Sequence, residues 1–314
     1  MKCLVLGGGG FLGSHLCDAL LTEGHAVRIF DRPNLERYRA FSADEDIEWV
    51  EGDFANQEEI ARVVPGCDII YHLVSTTLPK SSNDNPVYDV ETNVVSTLHL
   101  LDVSRKSGVT KIIFVSSGGT VYGVPNDVPI REDHSTNPIC SYGISKLTIE
   151  KYLYLYYTLY GLDYCVLRLA NPYGDRQRTL SAQGAVAVFL HKALKNESIE
   201  IWGDGSVVRD YIYVSDAARA MVKAFSYSGE QKILNIGSGQ GQSLNDVLEA
   251  IGTILGRQVS RVYMEGRALD VPANVLDISL AKETLKWRPC LSFQQGLERT
   301  IHWMQNIEDL VSKG

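Results

Sequence analysis

Short β-branched or apolar runs recur through the first half of the chain, at residues 2–6, 26–30, 47–51, 68–73, 111–116 and 163–169. Stretches of helical periodicity separate them. Residues 11–24 set Leu12, Leu16, Ala19 and Leu20 on one stripe and stop at a glycine, and residues 93–108 stop the same way. Such alternation predicts an α/β fold: a doubly wound parallel sheet with helices on both faces. After Asn171 the pattern changes to segments punctuated by Gly and Pro (171–174, 202–206, 237–242, 271–272), with helices expected at 184–196, 216–225 and 244–255. This predicts a smaller lid beside the sheet. No linker separates the parts, so the boundary is expected to be interwoven.

The first strand runs into Gly7-Gly8-Gly9-Gly10-Phe11-Leu12-Gly13-Ser14. Without Cβ atoms, the glycines at 7, 10 and 13 can take unusual backbone angles and let a pyrophosphate approach a helix N-terminus, where unpaired N–H groups and the macrodipole favour an anion. A strand before, a helix after and Asp31 eighteen residues beyond Gly13 agree with a dinucleotide fingerprint. A carboxylate at Asp31 would accept adenosine ribose hydroxyls and repel a 2′-phosphate, favouring NAD over NADP, although Arg32 beside it pulls the other way.

Ser141-Tyr142-Gly143-Ile144-Ser145-Lys146 opens a helix after the strand at 111–116, and Tyr142 and Lys146 are i, i+4 neighbours on one face. A nearby ammonium favours the phenolate, lowering a tyrosine whose reference pKa is about 10 toward neutrality. Tyr142 is thereby a candidate general base for a hydroxyl proton.

Composition narrows the setting. Hydrophobic residues at 45% and charged residues at 22% are those of a globular chain. With 30 Lys+Arg against 38 Asp+Glu the net charge is −8, the wrong sign for gripping nucleic acid, whereas a few local Arg and backbone N–H groups suffice for a small phosphorylated ligand. No apolar run approaches the ~20 residues of a bilayer span, and residues 3–6 fall far short of a signal-peptide core of about 7–15 residues, so a cytoplasmic protein is expected. The six cysteines (Cys3, Cys17, Cys67, Cys140, Cys165, Cys290) have no metal-ligand spacing and read as buried thiols in a reducing compartment.

With these motifs in place, the chain resembles the extended short-chain dehydrogenases/reductases of the nucleotide-sugar epimerase and dehydratase group, over nearly its whole length. Gly52-Asp53-Phe54 is similar to the group's adenine-contacting turn, Tyr71-His72-Leu73-Val74-Ser75 to its cofactor segment, and Asn93 to the residue opening its next helix. The segments 168–174 and 202–211, with Gly266-Arg267-Ala268-Leu269-Asp270, resemble the sugar-nucleotide segments. The resemblance implies a Rossmann-type NAD-binding domain over residues 1–170 with a returning segment at about 207–236, and an interwoven α/β nucleotide-sugar-binding domain over 171–206 and 237–314. It implies cofactor contacts from Gly7, Gly10, Phe11, Leu12, Gly13, Asp31, Arg32, Asp53, Phe54, Leu73, Ser75, Asn93, Ser116, Tyr142 and Lys146.

For the substrate, Arg209 and Arg267 offer planar forks suited to a diphosphate, Asn171 a hydrogen bond to phosphate or sugar, and Asp270 an acceptor for ribose hydroxyls, while the strand at 199–202, Ile201 included, would stack on a nucleobase. The implied reaction is NAD-dependent epimerisation at C4 of a UDP-hexose through a 4-keto sugar, with Tyr142 as base and Lys146 on the nicotinamide ribose. Dehydratases and decarboxylases of the group carry an acid just after the Ser/Thr that partners the tyrosine. The stretch Ser116-Ser117-Gly118-Gly119-Thr120-Val121-Tyr122-Gly123 has none, which leaves epimerisation. The group's Ser/Thr position itself is Gly118, so the hydroxyl falls to Ser117 or, second, to Thr120.

Asn274 stands where some glucose-selective relatives carry Tyr and implies room for a 2-acetamido group. Arg178 either pairs with a uronate carboxylate or is a solvated loop residue. A UDP-uronate 4-epimerase and a 4-keto reductase are the enzymatic alternatives, and a dinucleotide-sensing binding protein the non-enzymatic one. The Tyr-rich helix at 147–160, apolar almost all round, resembles with 93–108 the four-helix homodimer contact of the group.

Overall fold

The computed structural model describes residues 1–178, 184–266 and 271–312, with side chains through Asn306. The strands are β1 (Lys2–Leu6), β2 (Ala26–Asp31), β3 (Ile47–Glu51), β4 (Ile69–His72), β5 (Lys111–Ser117), β6 (Asp163–Leu169), β7 (Asn171–Tyr173), β8 (Ile199–Trp202), β9 (Val208–Tyr213), β10 (Ile233–Ile236), β11 (Gly241–Ser243), β12 (Arg261–Met264) and β13 (Ala273–Asn274). Seven of them form a parallel sheet in the order β10-β6-β5-β4-β1-β2-β3. The helices are α1 (Phe11–Thr22), α2 (Gln57–Val63), α3 (Pro86–Asp89), α4 (Ser96–Lys106), α5 (Ser141–Tyr160), α6 (Ala185–Leu194), α7 (Val214–Phe225), α8 (Leu244–Leu255), α9 (Ser279–Thr284) and α10 (Phe293–Ser312).

The strands read as continuous apolar runs because both faces are covered. Leu4, Leu6, Ile70, Ile112 and Phe114 pack into one layer with Leu100, Leu101 and Ile149, and Cys3, Val5, Tyr71 and Ile113 into the other with Leu16, Leu20 and Met221. Strand order reverses direction between β1 and β4, the switch point at whose carboxyl-end crevice open α/β sheets bind ligands. The glycine turn after β1, the Leu73–Ser75 segment after β4 and the Ser117–Gly119 turn after β5 all lie on that edge.

The helix expected at 93–108 is two pieces: a π-helical turn at Val90–Val95 continues from α3 into α4. In the second half, β9 pairs with β7, β11 and β13, and β8 pairs with β12. Tyr173, Tyr211 and Tyr213 share a core there with α6, α8 and α10. Because β9 hydrogen-bonds in this smaller sheet, the return to the large sheet starts at Val214 with α7, which packs on α1, rather than near residue 207. β10 then completes the large sheet beside β6.

Among the described residues no helix is long and apolar enough to cross a membrane, and no cluster of His, Cys, Asp or Glu is arranged to hold a metal ion. Cys3, Cys17, Cys67 and Cys165 are buried thiols as expected, whereas Cys290 is exposed.

Candidate active site

Residue Cys140, before α5, supplies no side-chain cap, so the helix start is fastened from elsewhere. The Ser141 N–H donates to Asn83 Oδ1 at 2.9 Å and the Tyr142 N–H to Ser82 Oγ at 3.0 Å, two of the helix's otherwise unpaired donors. These bonds fix the turn that carries Tyr142. Ser117, at the end of β5, is the hydroxyl that pulls the pKa of this phenol down.

Lys146, buried one turn on, donates from Nζ to the Val115 carbonyl at 3.0 Å, with Nζ 4.7 Å from the Phe114 ring centre and 5.6 Å from that of Tyr142. The spacing argument expected the ammonium to lower the phenol pKa. The structure reverses that. Burial, then the Cys140 thiol and the Asp89 carboxyl, push Tyr142 above its ordinary value against the pull of Ser117. Burial also lowers Lys146 to about 8, opposed by the charges of Asp89 and Glu150. An i, i+4 spacing says how near two groups lie along a helix and nothing about their desolvation.

Gly118 has a packing reason. A Cβ there would lie 2.6 Å from Leu276 Cδ1 and 3.2 Å from the Arg168 carbonyl oxygen, and Leu276 is fully buried. Leu276 thus fills the space a side chain at 118 would need, and Ser117 is the neighbouring hydroxyl that acts on the phenol pKa. Thr120 Oγ1 is buried with no hydrogen-bond partner. Gly118→Ser is expected to destabilise the fold by roughly 1–3 kcal/mol through overpacking. A urea double-mutant cycle checks this: in a Leu276→Ala background the same serine should cost much less.

Asn274 is 1% exposed and donates from Nδ2 to the Gly118 carbonyl at 3.0 Å, so it braces the turn rather than opening room beside it. Its Oδ1 is buried and unpaired.

The glycine turn is built closely. Gly7 has φ +85°, and a Cβ at Gly13 would stand 2.1 Å from the Gly7 carbonyl oxygen. No side chain caps α1 at Gly10, and no acid occupies the first turn, which starts with Phe11 and Leu12. Asp31 Oδ2 accepts from the Gly9 N–H at 2.9 Å and Oδ1 from the Arg32 N–H at 2.9 Å, while the Arg32 side chain is exposed. An uncapped helix start with a carboxylate at the neighbouring strand end fits a dinucleotide pyrophosphate and ribose.

Asn93 is buried, donating to the Asp89 carbonyl at 2.9 Å and accepting from the Thr76 N–H at 3.0 Å. Asp53 holds its own turn through the Ala55 N–H, and Phe54 packs 4.9 Å from the His72 ring. Leu73 is half-buried, and exposed Ser75 donates to the Thr77 carbonyl.

Several of the expected site residues have partners within the protein. Ser116 Oγ donates to Glu150 Oε1 at 2.5 Å, into the interior. Ile201 is fully buried in the small-sheet core because alternation along β8 points it inward, leaving Trp202 as the exposed ring of that strand. Arg178 Nη2 donates to the Glu36 carbonyl at 2.6 Å, lies 3.2 Å from the Glu36 carboxylate and stacks over Tyr38, so the loop after β2 holds it. Arg209 Nη1 donates to the Val271 carbonyl at 2.6 Å, and Asn171 Nδ2 to the Asp210 carbonyl at 3.0 Å. Arg267 and Asp270 lie outside the described residues.

Sequence reasoning missed the partners that hold these groups. Asp89 gathers hydroxyls around the start of α5, and Glu150 forms a buried ion pair with Arg168 at 2.7 Å beneath Ser116. Leu276 escaped because its meeting with Gly118 depends on tertiary packing alone.

Comparison with known proteins gives a consistent family. Residues 3–237 match the NAD dependent epimerase/dehydratase family. A UDP-glucose 4-epimerase of Mycolicibacterium smegmatis is 34% identical over 312 residues, 98% of this chain and 99% of that protein. The crystal structure of Thermotoga maritima UDP-glucose 4-epimerase with UDP-glucose superposes with a TM-score of 0.93 at 36% identity, covering 98% of this chain and 100% of that one. The UDP-N-acetylglucosamine 4-epimerase of Methanobrevibacter ruminantium, in complex with UDP-N-acetylmuramic acid, gives 0.90 at 28% identity, covering 98% of each. A glycine turn open for a pyrophosphate, a helix presenting tyrosine and lysine at its mouth, and a match spanning most of the sequence lead to one conclusion: this chain belongs to the NAD-dependent epimerase/dehydratase family.

Proposed function

We propose that the protein is an NAD-dependent 4-epimerase of UDP-hexoses, acting on UDP-glucose and UDP-galactose or on their N-acetyl forms. The observation that carries this reading is Tyr142, fixed at the start of α5 by Ser82, with buried Lys146 Nζ 5.6 Å from its ring centre, at a turn with no carboxylate between Ser116 and Gly123. Glycines 7, 10 and 13 and Asp31 would hold NAD, which when bound supplies a two-electron acceptor that later returns the electrons to the sugar.

In this reading Tyr142 takes the O4 proton, and Ser117 shares it and orients the hydroxyl. Lys146 would hold the nicotinamide ribose and place positive charge beside the phenol. With no acid in the 116–123 turn to remove a second group, the 4-keto sugar is left to turn over and be reduced on its other face. The attachment of Arg178 to Glu36 weighs against a uronate reading.

Proton NMR of purified protein with UDP-glucose, UDP-galactose, their N-acetyl forms and UDP-glucuronate, without added cofactor, tests the proposal. Interconversion at C4 within one of the first two pairs is expected. Stoichiometric consumption of NAD(P)H, or a dehydrated or decarboxylated product, would replace it.

We also propose that two copies meet through the outer face of α5. Tyr154 and Leu159 are each 59% exposed, Val87 is 66% exposed, and Ile144 and Leu155 are exposed too, an apolar surface unusual for an isolated chain. Light scattering should report a dimer that Leu159→Arg converts to a monomer. A monomeric wild type refutes the interface.

A further inference from the structure

Asp89 ends α3 wholly buried, and its carboxylate is surrounded by neutral donors from three parts of the chain. Oδ2 accepts from Ser141 Oγ at 2.8 Å and Ser145 Oγ at 2.6 Å, and Oδ1 accepts from Asn93 Nδ2 at 3.1 Å and from the Thr77 hydroxyl. Thr77 belongs to the loop after β4, Asn93 to the π-helical turn, and the two serines to the first turns of α5, where they flank Tyr142 and precede Lys146. Four donors on an acceptor-only group, at the positive end of α5, make a built site for a negative charge.

The groups facing Lys146 show why that charge matters. Glu150, from its own helix, is ion-paired with Arg168 of β6. His72 of β4 is held well toward its neutral form by burial and by the Lys146 charge. Cys140 and Tyr142 complete the charge-bearing set around the helix start. Asp89 is therefore the carboxylate here that is bound by hydroxyls and an amide rather than by a guanidinium.

We propose that Asp89 is a positioning residue: fastened by Thr77, Asn93, Ser141 and Ser145, it locks the Tyr142 turn to the loop after β4 and keeps a negative charge close to Lys146. The proposal rests on reading Tyr142 and Lys146 as the working pair. It adds that their register and the charge of Lys146 are set from outside α5. A purely structural Asp89 could be an amide with little consequence for Lys146.

The test is direct titration of Lys146 by NMR in lysine-labelled full-length protein, assigned with Lys146→Met. In Asp89→Asn the midpoint should fall by about half a pH unit or more, since removing a neighbouring negative charge disfavours the ammonium. An unchanged midpoint in folded Asp89→Asn overturns the proposal. No substrate enters this measurement, so its failure is distinguishable from failure of the epimerase reading.

Should Asp89→Asn not fold, Ser141→Ala/Ser145→Ala decides the matter, because it keeps the charge and removes two fastenings. Expected there are NAD binding as in the wild type, an unmoved Lys146 midpoint and turnover lower by about tenfold or more through lost alignment. Undiminished turnover would overturn the proposal.

Discussion

Tyr142→Phe is expected to lower 4-epimerisation roughly 10³- to 10⁴-fold, the upper part of what a positioned acid–base group contributes. The expectation is specific because the substitution spares what holds the residue: its N–H stays bonded to Ser82, and only the phenol hydroxyl disappears. NAD binding and melting temperature should therefore stay close to wild type, while the conversion of UDP-glucose, followed by NMR, nearly vanishes. Turnover within tenfold of wild type would show that another group moves the proton.

The pH profile should carry the same signature. Burial raises the Tyr142 pKa, so deprotonation, and with it turnover, should increase as pH rises. Lys146 titrates at about 8 instead of its ordinary 10.5, so its positive charge is lost above pH 8 and the increase should level off or reverse there. The sign for stability is opposite. Between those two values the unfolded chain binds more protons at this lysine than the folded one, so the burden of burying it eases as pH rises.

Glu150→Gln should bring the largest loss of stability, about 3–5 kcal/mol, because it leaves the Arg168 guanidinium buried without its counter-charge. The pair lies at 2.7 Å with side chains 3% and 0% exposed. Burial works against the arginine charge, and the hydrogen bonds and charge of Glu150 outweigh it. Urea unfolding should show a lower midpoint with an unchanged slope. A change below about 1 kcal/mol would mean that water or Glu132, whose carbonyl Arg168 also meets, replaces the lost partner. Replacing both members by apolar residues should cost less than Glu150→Gln alone, although Ser116 would then lose its acceptor.

What was legible in the sequence lies in short spacings. The strand, the glycines through Gly13 and Asp31 announce the pyrophosphate turn because the geometry needs those residues at those intervals, and Tyr142 and Lys146 announce one helix face for the same reason. Side-chain direction was less legible. Ile201 and Trp202 are neighbours, and only the pleat says which one faces the core. Arg178 could be placed on its loop but not paired, because Glu36 comes from 142 positions earlier.

The supports of the site were invisible for the same reason. Ser145 and Asp89 are 56 residues apart, Asn274 and Gly118 are 156 apart, and no periodicity links them. The phenol pKa was misjudged because burial, which spacing does not express, raises it, with the Cys140 thiol and the Asp89 carboxyl adding to the rise.

The late return of the chain to the large sheet has a practical consequence for anyone dividing the gene. A fragment ending near residue 170 would keep the whole glycine turn and Tyr142, yet it would lack β10, leaving the outer edge of β6 from Val166 to Leu169 unpaired. It would also lack α7, stripping an apolar side of α1. Such a half-protein is expected to self-associate through that raw border rather than persist as a free cofactor-binding module, and supplying the missing half in trans should restore solubility only if both crossings re-form together.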